Sequence, residues 1–141
     1  MFAAAPLLLL PVAAYNLFVL TLGGGWRIHD AHARLVAPLF QLTTAPGGVW
    51  PVSVADLMVA GSLVALFIEL VKSTASRRIA LVNHSLSMVL FVACLLELLL
   101  APAFATSTFF LITLMVLLDV VAGFILTVAG GRREVEEAEY R

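Results

Sequence analysis

The distribution of apolar and polar positions divides the chain into four long greasy runs with polar links between them. No Asp, Glu, Lys or Arg occurs before Arg27. Three further apolar stretches follow. A helix crosses about 30 Å of hydrocarbon in about 20 residues. This predicts spans near residues 2–22, 52–71, 79–100 and 103–129. The runs are too long for strands and lack the alternation of an outer-membrane barrel. Backbone groups in lipid must be satisfied internally, so the spans are read as helices. The expected fold is an all-α membrane protein, a four-transmembrane-helix bundle, in one membrane domain over 1–131 with a charged tail at 132–141. Span 1 has no positive segment ahead of it and no clear small-x-small site before Gly23, which favours a retained helix over a signal peptide. Pro11 inside it predicts a kink.

The link over residues 23–51 is the longest segment outside the spans. Gly23–Gly25 ends span 1. Ile28, Ala31 and Leu35 then share one helical face, with Arg27, Asp30 and Arg34 on another and Asp30 spaced to pair with Arg34. This predicts a short amphipathic helix lying in the outer interface, apolar side down. Ala45–Gly48 turns the chain into span 2.

Composition sharpens this picture. Hydrophobic residues make up 62% of the 141 and charged residues only 12%, with a mean hydropathy of +1.09. Soluble domains are about 25% charged. Lys+Arg is 8 against Asp+Glu 9, a net charge of −1 that excludes a nucleic-acid partner. The single cysteine, Cys94, excludes an internal disulfide. Lys72, Arg77, Arg78, Arg132, Arg133 and Arg141 fall on one side of the spans, and Arg27 and Arg34 on the other. By the positive-inside rule both termini are expected in the cytoplasm. The Ala/Leu/Val-rich usage points to a bacterial inner membrane.

The polar residues inside the spans carry whatever chemistry there is. Asp56 and Glu69 lie in span 2, Asn83, His84 and Glu97 in span 3, and Asp119 in span 4. A carboxylate at membrane depth costs at least about 2.5–3.5 kcal/mol, so each needs a partner, water or a proton. Asn83, Ser87, Leu90, Cys94, Glu97 and Ala101 form one stripe of span 3. Ala55, Met58, Ser62, Ala65 and Glu69 form another on span 2, with Gly61 beside it. Asp119, Gly123 and Thr127 repeat on span 4, and Asn16 is the matching polar residue of span 1. These stripes are expected to face inward, with Gly61, Ala65, Ser87, Gly123 and Thr127 as packing or subunit contacts. The acids serve either as interhelical hydrogen-bond glue or as a proton or cation path through Glu69, His84 and Asp119, with Glu97 at its outer end.

His29 and His32, three apart on a helix, are weak metal candidates that would need further ligands. No metal centre follows from them alone. Ala80 and His84 form Ala-x-x-x-His, which resembles the pigment-ligand motif of bacterial antenna helices over those two residues. That resemblance implies a tetrapyrrole on His84; otherwise no cofactor is expected. Four-span multidrug transporters are similar in size but use an acid in the first helix, where this chain has none. Quinone-linked disulfide-forming proteins need cysteine pairs. Dinucleotide-, phosphate- and protease-type motifs are absent. The expected function is a non-catalytic membrane subunit, either accessory to a larger energy-transducing complex or self-associating. Its expected partners are membrane lipids, other subunits or copies of itself. The alternative is an oligomeric proton- or ion-linked transporter using the intramembrane acids and His84.

Overall fold

The computed structural model describes residues 5–21, 29–45, 47–73 and 77–139, with side chains described at 5–21, 32–45, 47–73 and 82–128. The chain order is α1 (Leu9–Thr21), α2 (His29–Val36), β1 (Pro38–Thr44), β2 (Gly48–Ser53), α3 (Val54–Ser73), α4 (Arg77–Leu100), a 3-10 turn (Pro102–Phe104) and α5 (Ser107–Glu139). Among the described residues three helices are long and apolar enough to cross a membrane: Val54–Ser73, Val82–Leu100 and Ser107–Val128. They pack as an antiparallel group in which α5 lies against both α3 and α4.

The first predicted span is shorter than its hydropathy suggests. α1 has 13 residues, about 20 Å at 1.5 Å per residue. Among the described residues three full spans are seen, and the fourth expected one is represented by this shorter helix. Pro11 does not kink α1. It sits in the first turn, where a missing N–H breaks no helical bond. Pro6 opens the preceding turn, its C=O accepting from Leu9 N–H at 3.1 Å. The two prolines thus set where the helix starts.

The link between α1 and α3 departs further from expectation. The fold is not purely helical, because β1 and β2 pair antiparallel from Thr44↔Gly48 to Pro38↔Ser53, with an irregularity between Pro38 and Phe40. Gly47 closes the hairpin at φ +92°, a conformation that glycine adopts at little cost, and its N–H donates to Thr44 C=O at 2.8 Å. Phe40, Leu42, Trp50 and Val52 share one hairpin face by register. Val52 is buried at the base, while Phe40, Leu42 and Trp50 remain exposed. The short amphipathic helix exists as α2, but Leu35 is fully buried. It packs on α3 and on the turn after α4, so α2 caps the end of the bundle.

Local capping fixes both helix starts at this end. Ser53 and Asp56 form a reciprocal capping box: Ser53 N–H donates to Asp56 Oδ2 at 2.9 Å, and Asp56 N–H donates to Ser53 Oγ at 3.2 Å. Asp56 is thus an exposed helix cap, not an interior acid. Thr106 caps α5 by accepting from Phe109 N–H at 3.2 Å. The same hydroxyl bonds Tyr15 Oη at 2.5 Å, tying α1 to the α4–α5 corner. Tyr15 stacks there on Phe109 (4.8 Å between centroids) and Phe104 (5.9 Å), and Phe104 meets Phe109 edge-on at 5.1 Å. The remaining core runs along the bundle axis through Leu8, Val12, Val19, Leu66, Leu90, Cys94, Ile112 and Val116. At the other end α5 continues as helix to Glu139, so the charged tail extends the last span.

Candidate functional site: two buried polar clusters

The stripe of α4 is turned inward. Asn83, Ser87, Leu90, Cys94 and Ala101 are all buried and Glu97 is half-buried. On α3, Ala55, Ser62 and Glu69 are buried, and Met58 and Ala65 are half-buried. On α5, Asp119 is buried, with Gly123 and Thr127 half-buried. Gly61 is exposed, with nothing within 4 Å of where a Cβ would stand. It is therefore no contact within the chain. Packing of this kind places a polar strip on each helix opposite another, and the polar groups meet in two places.

The first cluster lies toward the α3–α4 loop. Glu69 is fully buried and reaches across to the start of α1. Leu7 N–H donates to Glu69 Oε1 at 3.1 Å and Leu8 N–H donates to Oε2 at 3.2 Å. These amides belong to the turn that opens α1, where backbone donors have no helical acceptor. A carboxylate is the natural cap, since it accepts both bonds and meets the positive end of the helix dipole. The Asn83 side chain hydrogen-bonds the same carboxyl from α4. Lys72, spaced to pair with Glu69, instead donates to Ala5 C=O at 3.4 Å. One acid thus joins α1, α3 and α4.

Asp119, 3% exposed, completes this cluster from α5. Ser87 Oγ donates to Asp119 Oδ2 at 2.5 Å. The His84 imidazole is close enough to Asp119 to act on it electrostatically, and Asp119 acts likewise on Glu69. His84 also packs on Gly123: a Cβ there would stand 2.7 Å from His84 Nδ1 and 3.0 Å from its Cγ. The absence of a side chain at Gly123 is what lets the ring in.

The second cluster lies toward the hairpin end. Asn16 Nδ2 donates to Glu97 Oε2 at 3.1 Å and to Val12 C=O at 3.2 Å. Glu97 stands ten residues beyond Ser87 on α4, about 15 Å along the axis. Between the two clusters lie Leu66, Leu90, Cys94, Ile112 and Val116, all buried. The hydroxyls at this depth are used locally: Ser62 donates to Met58 C=O at 2.6 Å and Thr113 to Phe109 C=O at 2.9 Å. Thr127 does the same toward Gly123 C=O at 2.9 Å.

Sequence reading selected Glu69, Asn83, Ser87, His84, Asp119, Asn16 and Glu97, but not their pairing. Glu97 meets Asn16 of α1 rather than a residue of the two helices beside it. Sequence reading also missed the capping role of Glu69 because that partner is the backbone of α1, which carries no side-chain signal. The Ser53-x-x-Asp56 box was available as a spacing. His32 is exposed, and the His29 and Asp30 side chains lie outside those described. Among the described residues no group of three or more His, Cys, Asp or Glu is placed to hold a metal. At the hairpin end a shallow cleft of about 430 Å³ is lined by Trp50, Val52, Ala55, Asp56, Thr108 and Leu111, among others.

No protein-family model matches this chain, and neither a curated protein nor a solved structure matches it.

Proposed function

We propose that the protein is a small, non-catalytic integral membrane subunit, accessory to a larger assembly or self-associating, whose interior acids fasten its own helices. The observation that carries this reading is the layer between the clusters. About 15 Å of apolar side chains separates the Ser87–Asp119 pair from Asn16–Glu97, and the hydroxyls within it are bonded to their own helices. A proton path needs a continuous chain of exchangeable groups, and the hydroxyls of this layer, Ser62 and Thr113, are each turned back onto their own helix rather than linked to one another. Each acid instead has an architectural partner: Glu69 holds α1, Glu97 holds Asn16, Asp119 holds Ser87 and Asp56 caps α3. The large apolar residues left outside, among them Leu63, Val64, Phe67 and Ile68 on α3, then meet lipid or another subunit. Gly61, exposed on α3, offers a close-approach point for a neighbouring helix.

The same reading places the chain in a bacterial inner membrane with both termini cytoplasmic, supported by Lys72, Arg77, Arg78, Arg132 and Arg133 on one side. The segment from Leu8 to Tyr15 runs from the Glu69 level to the Thr106 corner along the side of the bundle. Purified protein in liposomes tests the proposal. No proton flux above empty vesicles is expected, in the wild type or in Asp119→Asn. Flux that Asp119→Asn abolishes while the assembly stays intact would establish the transporter reading instead.

A further inference from the structure

The cleft between the starts of α3 and α5 has a polar rim and an apolar floor. α4 reverses the chain between the two helices, so both begin at the hairpin end. Asp56 lines the cleft from the first turn of α3, and Ser107 and Thr108 line it from the first turn of α5. One turn deeper the same walls carry Val59 and Ala60 on α3 and Leu111 on α5. A step of three or four residues stays on one helical face and descends about 5 Å. Both walls therefore change from polar to apolar at one depth. Trp50 of β2, an exposed side chain of the type that collects where membrane meets water, belongs to the same lining. The cleft holds about 430 Å³, within the range of about 300–1,000 Å³ that small-molecule sites occupy.

Two groups on the rim have unused capacity. The Asp56 carboxylate accepts the Ser53 N–H and the Ser53 hydroxyl, both on Oδ2. Its Oδ1 has no partner among the described residues. Thr108 is only 7% exposed, yet its hydroxyl bonds nothing among the described residues, since Thr106 provides the cap of α5. A polar side chain buried to this degree ordinarily has a partner. The first-turn amides of α5, at Ser107 and Thr108, likewise lack helical acceptors. The rim thus offers an anion on α3 and donors on α5, one turn above an apolar floor. A molecule that answers all three carries a cation, an anion and a hydrocarbon chain in that order.

We propose that this cleft binds a phospholipid with a primary ammonium headgroup, phosphatidylethanolamine. Its ammonium meets Asp56, its phosphate meets the Ser107–Thr108 turn, and its glycerol and upper chain lie against Val59, Ala60 and Leu111. A trimethylammonium group has no N–H to give a carboxylate, and a glycerol headgroup has no positive charge. Neither phosphatidylcholine nor phosphatidylglycerol therefore satisfies the rim. The site stands apart from the accessory-subunit reading, because a lipid wedged between α3 and α5 fits a subunit and a transporter equally.

The test is native mass spectrometry of the full-length protein released from detergent micelles. It is titrated with phosphatidylethanolamine, phosphatidylcholine and phosphatidylglycerol of identical acyl chains. Phosphatidylethanolamine should saturate at one tightly held molecule per chain. It should bind at least about tenfold tighter than the other two, the worth of one charge-assisted hydrogen bond. Asp56→Asn keeps an acceptor oxygen for Ser53, and so keeps the cap, but should bring phosphatidylethanolamine down to the level of phosphatidylcholine. Leu111→Trp fills the floor and should weaken binding with the rim intact, whereas Glu97→Gln in the interior should leave it unchanged. The wild-type ranking of the three lipids requires no variant to fold. Equal binding of all three would overturn the proposal and make the occupant ordinary bulk lipid. Undiminished phosphatidylethanolamine binding in Asp56→Asn would overturn it as well, by placing the lipid elsewhere.

Discussion

Replacing Glu69 with Leu should release the first turn of α1 while leaving the rest of the bundle folded. The carboxylate accepts Leu7 N–H at 3.1 Å and Leu8 N–H at 3.2 Å, and Leu8 is fully buried. A buried donor left unpaired costs about 1–3 kcal/mol, so the two amides together lose roughly 2–6 kcal/mol of local stability. Downstream, α1 stays docked through Tyr15 on Thr106, Phe104 and Phe109 and through Asn16 on Glu97. The loss is therefore local. Hydrogen exchange read by mass spectrometry on a peptide covering residues 5–12 measures it. At about 1.4 kcal/mol per tenfold, even the lower figure predicts exchange at Leu7 and Leu8 at least about thirtyfold faster. Glu69→Gln keeps one acceptor oxygen and should fall between wild type and Glu69→Leu. Unchanged exchange in Glu69→Leu would refute the capping argument. Equal acceleration across α1, α3 and α5 would refute its locality.

Gly123→Ala drives a Cβ to 2.7 Å from His84 Nδ1, an overpacking that should cost about 1–3 kcal/mol in unfolding titrations; adding His84→Ala should recover most of it. Asn16→Leu and Glu97→Leu should each cost about 0.6–2 kcal/mol, and a double-mutant cycle should show that their effects do not add, since they remove one bond. Gly61→Ala meets nothing within 4 Å, so the monomer's stability should hold or rise by up to about 1 kcal/mol, while weakened association on size exclusion would mark Gly61 as a subunit contact. Gly47→Val forces a branched side chain to φ +92° and should lower stability by about 1–2 kcal/mol, read by thermal unfolding.

The long helices were legible because hydropathy registers length directly: the apolar parts of α3, α4 and α5 (Val54–Ser73, Val82–Leu100 and Ser107–Val128) fall within a few residues of the predicted spans. The inward stripes were legible too, because in a three-helix seam a small or polar residue every three to four positions has few other places to go. Three features were hidden. α1 begins at Leu9 because Pro6 and Pro11 favour a first turn there, and a run of leucines looks continuous across that boundary. The hairpin escaped notice because both of its faces carry apolar residues: Leu39, Phe40, Leu42 and Val49 produce no alternation, and Ala45–Gly48 reads equally as a bend into a helix. The partners of the acids were hidden for a third reason. Glu69 bonds backbone amides sixty residues away, and only the packing of α1 against α3 brings them together. Residue type announced where buried charge would be costly, and tertiary structure decided how it is met.

Native mass spectrometry of the gently solubilised protein, taken from its own membrane, tests the central claim most directly. The account predicts an assembly of fixed stoichiometry, containing either foreign subunits or copies of this chain, with every copy intact and no covalently altered substrate. A solitary chain that carries protons or ions once reconstituted would contradict it.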